Sequence, residues 1–125
     1  MIVLTVNTGS TSVKLAAFEV AGGQGEAGPP PRRLQAQHLT GAAPDPAAAL
    51  RRFLALLAQH PAAVAHRVVH GGTRFTAPAL IDDGARAAIA ELSELAPLHN
   101  PVALRWIDAA REVCGAGVAQ AAAFD

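Results

Sequence analysis

The sequence predicts an α/β fold, a mixed sheet in which a β-meander is followed by α/β units, and three observations carry that prediction. Ile2-Val3-Leu4-Thr5-Val6 is β-branched and apolar without clear alternation, which suits a central strand covered on both faces. Two more strand-like runs follow it, separated by turn-forming residues. After Asp45-Pro46 the apolar period changes from two to 3.6, and helix and strand patterns then succeed each other as far as Phe124.

Taken in order, the second strand is expected at Val13 to Val20, antiparallel to the first. Ala16, Phe18 and Val20 share one of its faces, and Val13, Leu15 and Ala17 the other, so that it too is expected to be covered on both sides. Residues 21–31 are rich in glycine and proline and read as a surface loop. Leu34 to Leu39 alternates and completes the meander. Asp45 is a helix cap with Pro46 at the first helical position. Leu50, Phe53, Leu54 and Leu57 then form the stripe that faces a sheet, Arg51 and Arg52 a solvated side, and Gln59-His60-Pro61 the stop. Ala62 to Val69 returns as a strand with Val64, His66 and Val68 on one side and Ala65, Arg67 and Val69 on the other. Asp82-Asp83 caps a helix from Gly84 to about Leu95, with Ile89 and Leu92 inward. Asn100-Pro101 starts another, with Val102, Trp106, Ala109 and Val113 on one face. Gly115 and Gly117 end it, and Val118 to Phe124 is the last strand.

Composition narrows the function classes. The 125 residues amount to one domain, long enough to bury roughly two-thirds of its unfolded surface. Ten basic and ten acidic residues give a formal net charge of +0, and the basic ones are dispersed, so no electrostatic footprint for nucleic acid or an anionic membrane is present. A small molecule or a protein partner is expected instead. One cysteine, Cys114, excludes an internal disulfide and reads as a small buried hydrophobe. The absence of a basic leader and of a run of about 20 apolar residues points to the cytoplasm.

Two stretches carry chemistry. In Asn7-Thr8-Gly9-Ser10-Thr11-Ser12-Val13-Lys14, a glycine, three hydroxyls and an ammonium stand between two strands. Such a bend can turn successive amides and side-chain donors on a phosphate, and it can equally be an ordinary hairpin turn rich in small polar residues. In His66-Arg67-Val68-Val69-His70-Gly71-Gly72-Thr73-Arg74, the paired glycines admit close approach of a ligand, and the guanidinium forks suit carboxylate or phosphate. A structural ion pair at a strand end is the alternative for Arg67. His66 and His70 stand four apart, but the valines and Gly-Gly argue against the helix that would make this a metal spacing, and no third ligand is near.

In order, NTGSTSVK, AHRVVHGGTRFT, LSELAPLHNP and AFD at residues 123–125 resemble the N-terminal domain of acetate kinase, across the chain apart from residues 21–60. That resemblance implies a ribonuclease-H-like domain of the acetate and sugar kinase, Hsp70 and actin superfamily. It also implies that residues 1–125 are one domain of an enzyme whose second domain is not in this sequence. Implied activity is reversible transfer of the γ-phosphoryl group of ATP to acetate, giving acetyl phosphate and ADP, with Mg²⁺ or Mn²⁺. By the same resemblance Asn7 lies near the metal and phosphates, Ser10 and Ser12 contact phosphate oxygens, and Lys14 holds the nucleotide. Arg67 binds the substrate carboxylate, Val69 and Leu98 form an apolar pocket for its methyl group, His99 stands beside the transferring phosphoryl group, and Asp125 is the active-site aspartate. Full-length relatives are expected to be homodimers, and the fragment alone to be inactive. A propionate kinase is the alternative within the family, and a non-catalytic phosphate- or nucleotide-binding module the alternative outside it.

Overall fold

In a computed structural model, which describes residues 1–9, 12–21, 28–40, 45–68, 77–91 and 100–124, the elements run β1 (Ile2–Thr8), β2 (Ser12–Glu19), β3 (Arg32–Thr40), α1 (Pro46–Leu54), β4 (Ala63–Val68), β5 (Ala79–Leu80), α2 (Asp83–Glu91), α3 (Asn100–Cys114) and β6 (Ala119–Phe124). The sheet order is β3-β2-β1-β4-β6-β5. Strands β1 to β3 form the expected antiparallel meander, and β1, β4 and β6 are parallel neighbours. Helical crossovers connect the parallel strands, as that direction of pairing requires. The mixed sheet with a meander leading into α/β units is therefore as read from the sequence.

Coverage of the sheet differs from expectation. Ile2, Leu4, Val6 and Thr8 are at most 3% exposed, whereas Val3, Thr5 and Asn7 are partly open, so β1 alternates. Strand β2 alternates likewise, with Val13, Leu15 and Ala17 buried. All described helices lie on that buried side. Leu4, Leu15, Leu50, Phe53, Val64 and Trp106 make one core under α1 and α3, and Val68, Ile89, Ala103, Ile107 and Ala122 make a second under α2 and α3. Among the described residues nothing covers the opposite face. The uninterrupted apolar run of β1 misled because valine and threonine are favoured on a pleated surface whether that face is dry or only half covered.

The elements end for local reasons. Asp45 caps α1, its Oδ1 accepting from the Ala47 amide at 3.1 Å. The helix stops at Leu54, short of the expected stop at Gln59, because a turn through Ala55 and Leu56 bends the chain while Leu57 still packs on the core. Asp82 Oδ1 accepts from the Ala85 amide at 2.7 Å and starts α2. The further extent of that helix to Leu95, and Leu92 on its inner face, lie outside the described residues. Arg86 ties α2 to α3 through Nε and Nη2, each 2.7 Å from an oxygen of Asp108, and this pairing holds the carboxyl below its usual range. Gly115 follows α3 with φ +104°, the left-handed region that a glycine enters without strain. Strand β5, two residues antiparallel to β6, has no counterpart in the sequence reading.

Candidate phosphate and carboxylate site

Ligands of open α/β sheets bind beyond the carboxyl ends of parallel strands, and here those ends are Thr8, Val68 and Phe124. At this end the pairing registers align one row across four strands: His38 of β3 lies opposite Lys14 of β2, Lys14 opposite Asn7 of β1, and Asn7 opposite Arg67 of β4. Partners in a ladder share a face, so all four stand on the open side of the sheet. Asn7 and Arg67 touch, Arg67 Nη1 donating to Asn7 Oδ1 at 3.5 Å, a long and weak hydrogen bond. Between these two side chains the contact is a hydrogen bond to a neutral amide rather than an ion pair.

Beside the row a cavity of about 470 Å³ opens on the same face, lined by Thr5, Asn7, Lys14, Ala16, Arg33, Ala36, Gln37 and His38 among others. Among the described residues its lining carries three basic side chains and no carboxylate. Burial of two cations beside each other without a counter-charge is avoided in protein interiors, and Lys14, Arg33 and His38 are accordingly exposed. An anion approaching this surface meets no repelling side chain among those that line it.

The hairpin between β1 and β2 closes through the Gly9 amide, which donates to the Ser12 carbonyl at 2.8 Å. Gly9 is outside the left-handed region, and a Cβ there would lie an ordinary 3.4 Å from Ser12 O. Glycine is therefore not required here by a conformation only it can reach. Ser12 begins β2 on the same face as Lys14, opposite Thr40. Ser10, Val69, Leu98, His99 and Asp125 lie outside the described residues, as does His70. Of the expected site, the described part comprises Asn7, Ser12, Lys14 and Arg67.

On the opposite, helix-covered side of the same strands, His66 is 2% exposed and its Nε2 is 2.5 Å from Gln120 Oε1. Gln120 Nε2 in turn donates to the Ile107 carbonyl at 3.2 Å. Burial lowers the His66 pKa to about 4, against a smaller opposing effect of the Gln120 bond. A neutral imidazole held this way is a structural group, and among the described residues no three metal-ligating side chains converge. No local motif marks Gln120 or the cavity residues Arg33 and His38 as members of a site. A lone glutamine in the alanine-rich β6 was the available signal for Gln120, but His38 could be set against Lys14 only once the register across the long residue 21–31 loop was known.

The chain matches the family model described as the acetokinase family over residues 33–125. It is 42% identical over 124 residues to an acetate kinase of Micrococcus luteus, in an alignment covering 90% of this chain and 31% of that protein. Among solved structures it superposes on Porphyromonas gingivalis acetate kinase with a TM-score of 0.76 and 26% identity, covering 99% of this chain and 37% of that one. A propionate kinase of Francisella tularensis superposes with a TM-score of 0.69 and 27% identity, covering 99% and 36%. The chain thus spans about a third of the length of the relatives it matches. The expected ribonuclease-H-like fold is borne out by these superpositions.

Proposed function

The chain belongs to the acetokinase family, and on that premise we propose that it is the phosphate- and carboxylate-holding segment of an acetate kinase, the enzyme that passes the γ-phosphoryl group of ATP to acetate and back. The observation that carries this reading is the row Lys14, Asn7, Arg67 on one open face, cationic at both ends with a neutral amide between. In-line phosphoryl transfer asks for positioning and charge neutralisation more than covalent chemistry. Arg67 would hold the acetate carboxylate by its fork, Lys14 with Ser10 and Ser12 the phosphate oxygens of the nucleotide, and Asn7 the metal-bound phosphates. Val69 and Leu98 would enclose the methyl group, and His99 and Asp125 would stand at the transferring phosphoryl group.

A divalent cation fits Asn7. Mg²⁺ takes oxygen donors, keeps several waters, and is shared with substrate phosphates rather than caged by protein; among the described residues the Asn7 Oδ1 accepts one weak hydrogen bond, from Arg67 at 3.5 Å, and retains an oxygen lone pair for it. When bound, the Mg²⁺ or Mn²⁺ ion would supply charge neutralisation on the phosphate oxygens. ATP or ADP and acetate or acetyl phosphate are the ligands, the compartment is the cytoplasm, and a full-length relative acts as a homodimer.

Catalysis would need closure of a second body over this face to exclude water. Purified residues 1–125 with ATP, Mg²⁺ and acetate are therefore expected to form no acetyl phosphate. Adding, as a separate polypeptide, the unmatched two-thirds of the Micrococcus luteus enzyme should restore hydroxylamine-trapped acetyl phosphate, and Arg67→Leu should abolish it. Turnover by the 125 residues alone, or restored turnover indifferent to Arg67, would overturn the proposal. Propionate is the second acceptor to assay, favoured by the superposition on the Francisella tularensis protein.

A further inference from the structure

Two buried polar side-chain atoms among the described residues have no hydrogen-bond partner there: Thr8 Oγ1 and His66 Nδ1. They belong to neighbouring parallel strands and to the same helix-covered face, each on a residue 2% exposed. An unpaired buried polar group costs a protein stability, and two on one face of adjacent strands invite a common explanation.

Their hydrogen-bonding characters are complementary. Gln120 donates its Nε2 to the Ile107 carbonyl, so its Oε1 faces His66 as an acceptor. His66 Nε2 must then carry the proton in that bond, which assigns the neutral ring its tautomer and leaves Nδ1 as a bare acceptor. Thr8 supplies a hydroxyl free to donate. His66 pairs with Val6, two residues before Thr8, so the strand spacing and rise put the two Cα atoms about 8 Å apart. Neither atom has a hydrogen-bond partner among the described residues, so the two do not bond each other directly, and neighbours at that spacing can be joined by two hydrogen bonds in series.

We propose that Thr8 and His66 hold one internal water molecule between β1 and β4. It accepts from Thr8 Oγ1 and donates to His66 Nδ1, and it completes a polar chain from β1 through β4 and Gln120 of β6 to the Ile107 carbonyl of α3. Two to four polar partners are what buried waters ordinarily have. A hydroxyl donor facing a bare imidazole acceptor is a pair that one water bridges, and among the described residues no group of three metal-ligating side chains forms. The chain pins the strand ends from which Gly9 and Arg67 project to the other side. The site itself is independent of the functional reading above.

Thr8→Val decides by its sign. The substitution keeps shape and removes the hydroxyl, so if Thr8 Oγ1 is truly unpaired the variant should be as stable as the parent or more so. With the water in place the variant should raise the unfolding equilibrium constant about five- to tenfold in urea titrations. It should also move the His66 Nδ1 nitrogen resonance to the position of a free acceptor, while Thr8→Ser leaves that resonance where the parent has it. Unchanged or increased stability of Thr8→Val, or a loss of stability with the His66 resonance unmoved, overturns the proposal. The parent chain gives an independent reading should Thr8→Val fail to fold: a Nδ1 resonance at the hydrogen-bonded position supports the site, and one at the free position refutes it.

Discussion

His66 shows at the scale of one residue how burial is written into stability. Its pKa falls from 6.5 to about 4, chiefly because burial disfavours the imidazolium. The unfolded chain therefore binds this proton between pH 6.5 and 4 while the folded chain does not, and stability drops as pH falls through that window. The full difference amounts to roughly 3 kcal/mol, level above pH 6.5 and lost by about pH 4. Urea midpoints of the parent across this range should follow that slope, and His66→Phe, whatever its absolute stability, should flatten it. An equal slope in His66→Phe would move the cause to carboxylates. At this scale the sequence was informative about chemistry and silent about partners. Asn7, Lys14 and Arg67 were each recognisable from their local strings, but that Arg67 meets Asn7, and that His66 meets Gln120, depends on contacts 60 and 54 residues apart in sequence.

Elements were most legible where a local rule governs them. Asp45-Pro46 announces α1 because a carboxylate can accept from the Ala47 amide and proline needs no donor at the first turn. Asp45→Ala should cost about 1 kcal/mol, read as a lower urea midpoint with unchanged slope; no loss would mean that packing of Leu50 and Phe53 alone sets the helix start. The C-terminal end of α1 was less legible. Leu57 continues the apolar stripe in sequence, yet the helix has already ended at Leu54, because a turn can deliver a leucine to the core as well as a helix can. Strand β5 was invisible for a related reason. Two residues, with Leu80 71% exposed, present no period to read, and only the free edge of β6 recruits them.

For the whole molecule, the antiparallel meander and the α/β units that follow it were legible in the pattern of elements, whereas the strand order and the one-sidedness of the sheet were not. Val3 and Val6 have the same side chain on the same central strand, and no intrinsic propensity distinguishes them. Their difference is set by where α1 and α3 pack, which depends on the register of the entire sheet. The two valines therefore test that arrangement directly. Val6, 1% exposed, should lose about 2 kcal/mol on replacement by alanine, from two buried methyl groups and the small cavity they leave. Val3, partly exposed on the open face, should lose well under half as much. The comparison is best made by urea unfolding at several protein concentrations. Equal losses at every concentration would mean that the Val3 face is packed within the chain and that the sheet is covered on both sides after all. A Val3 loss that grows with concentration would mean that a second copy covers this face, since only association ties stability to protomer concentration. A small, concentration-independent Val3 loss leaves the face open, as a surface carrying Lys14, Asn7 and Arg67 must be if a ligand is to reach them.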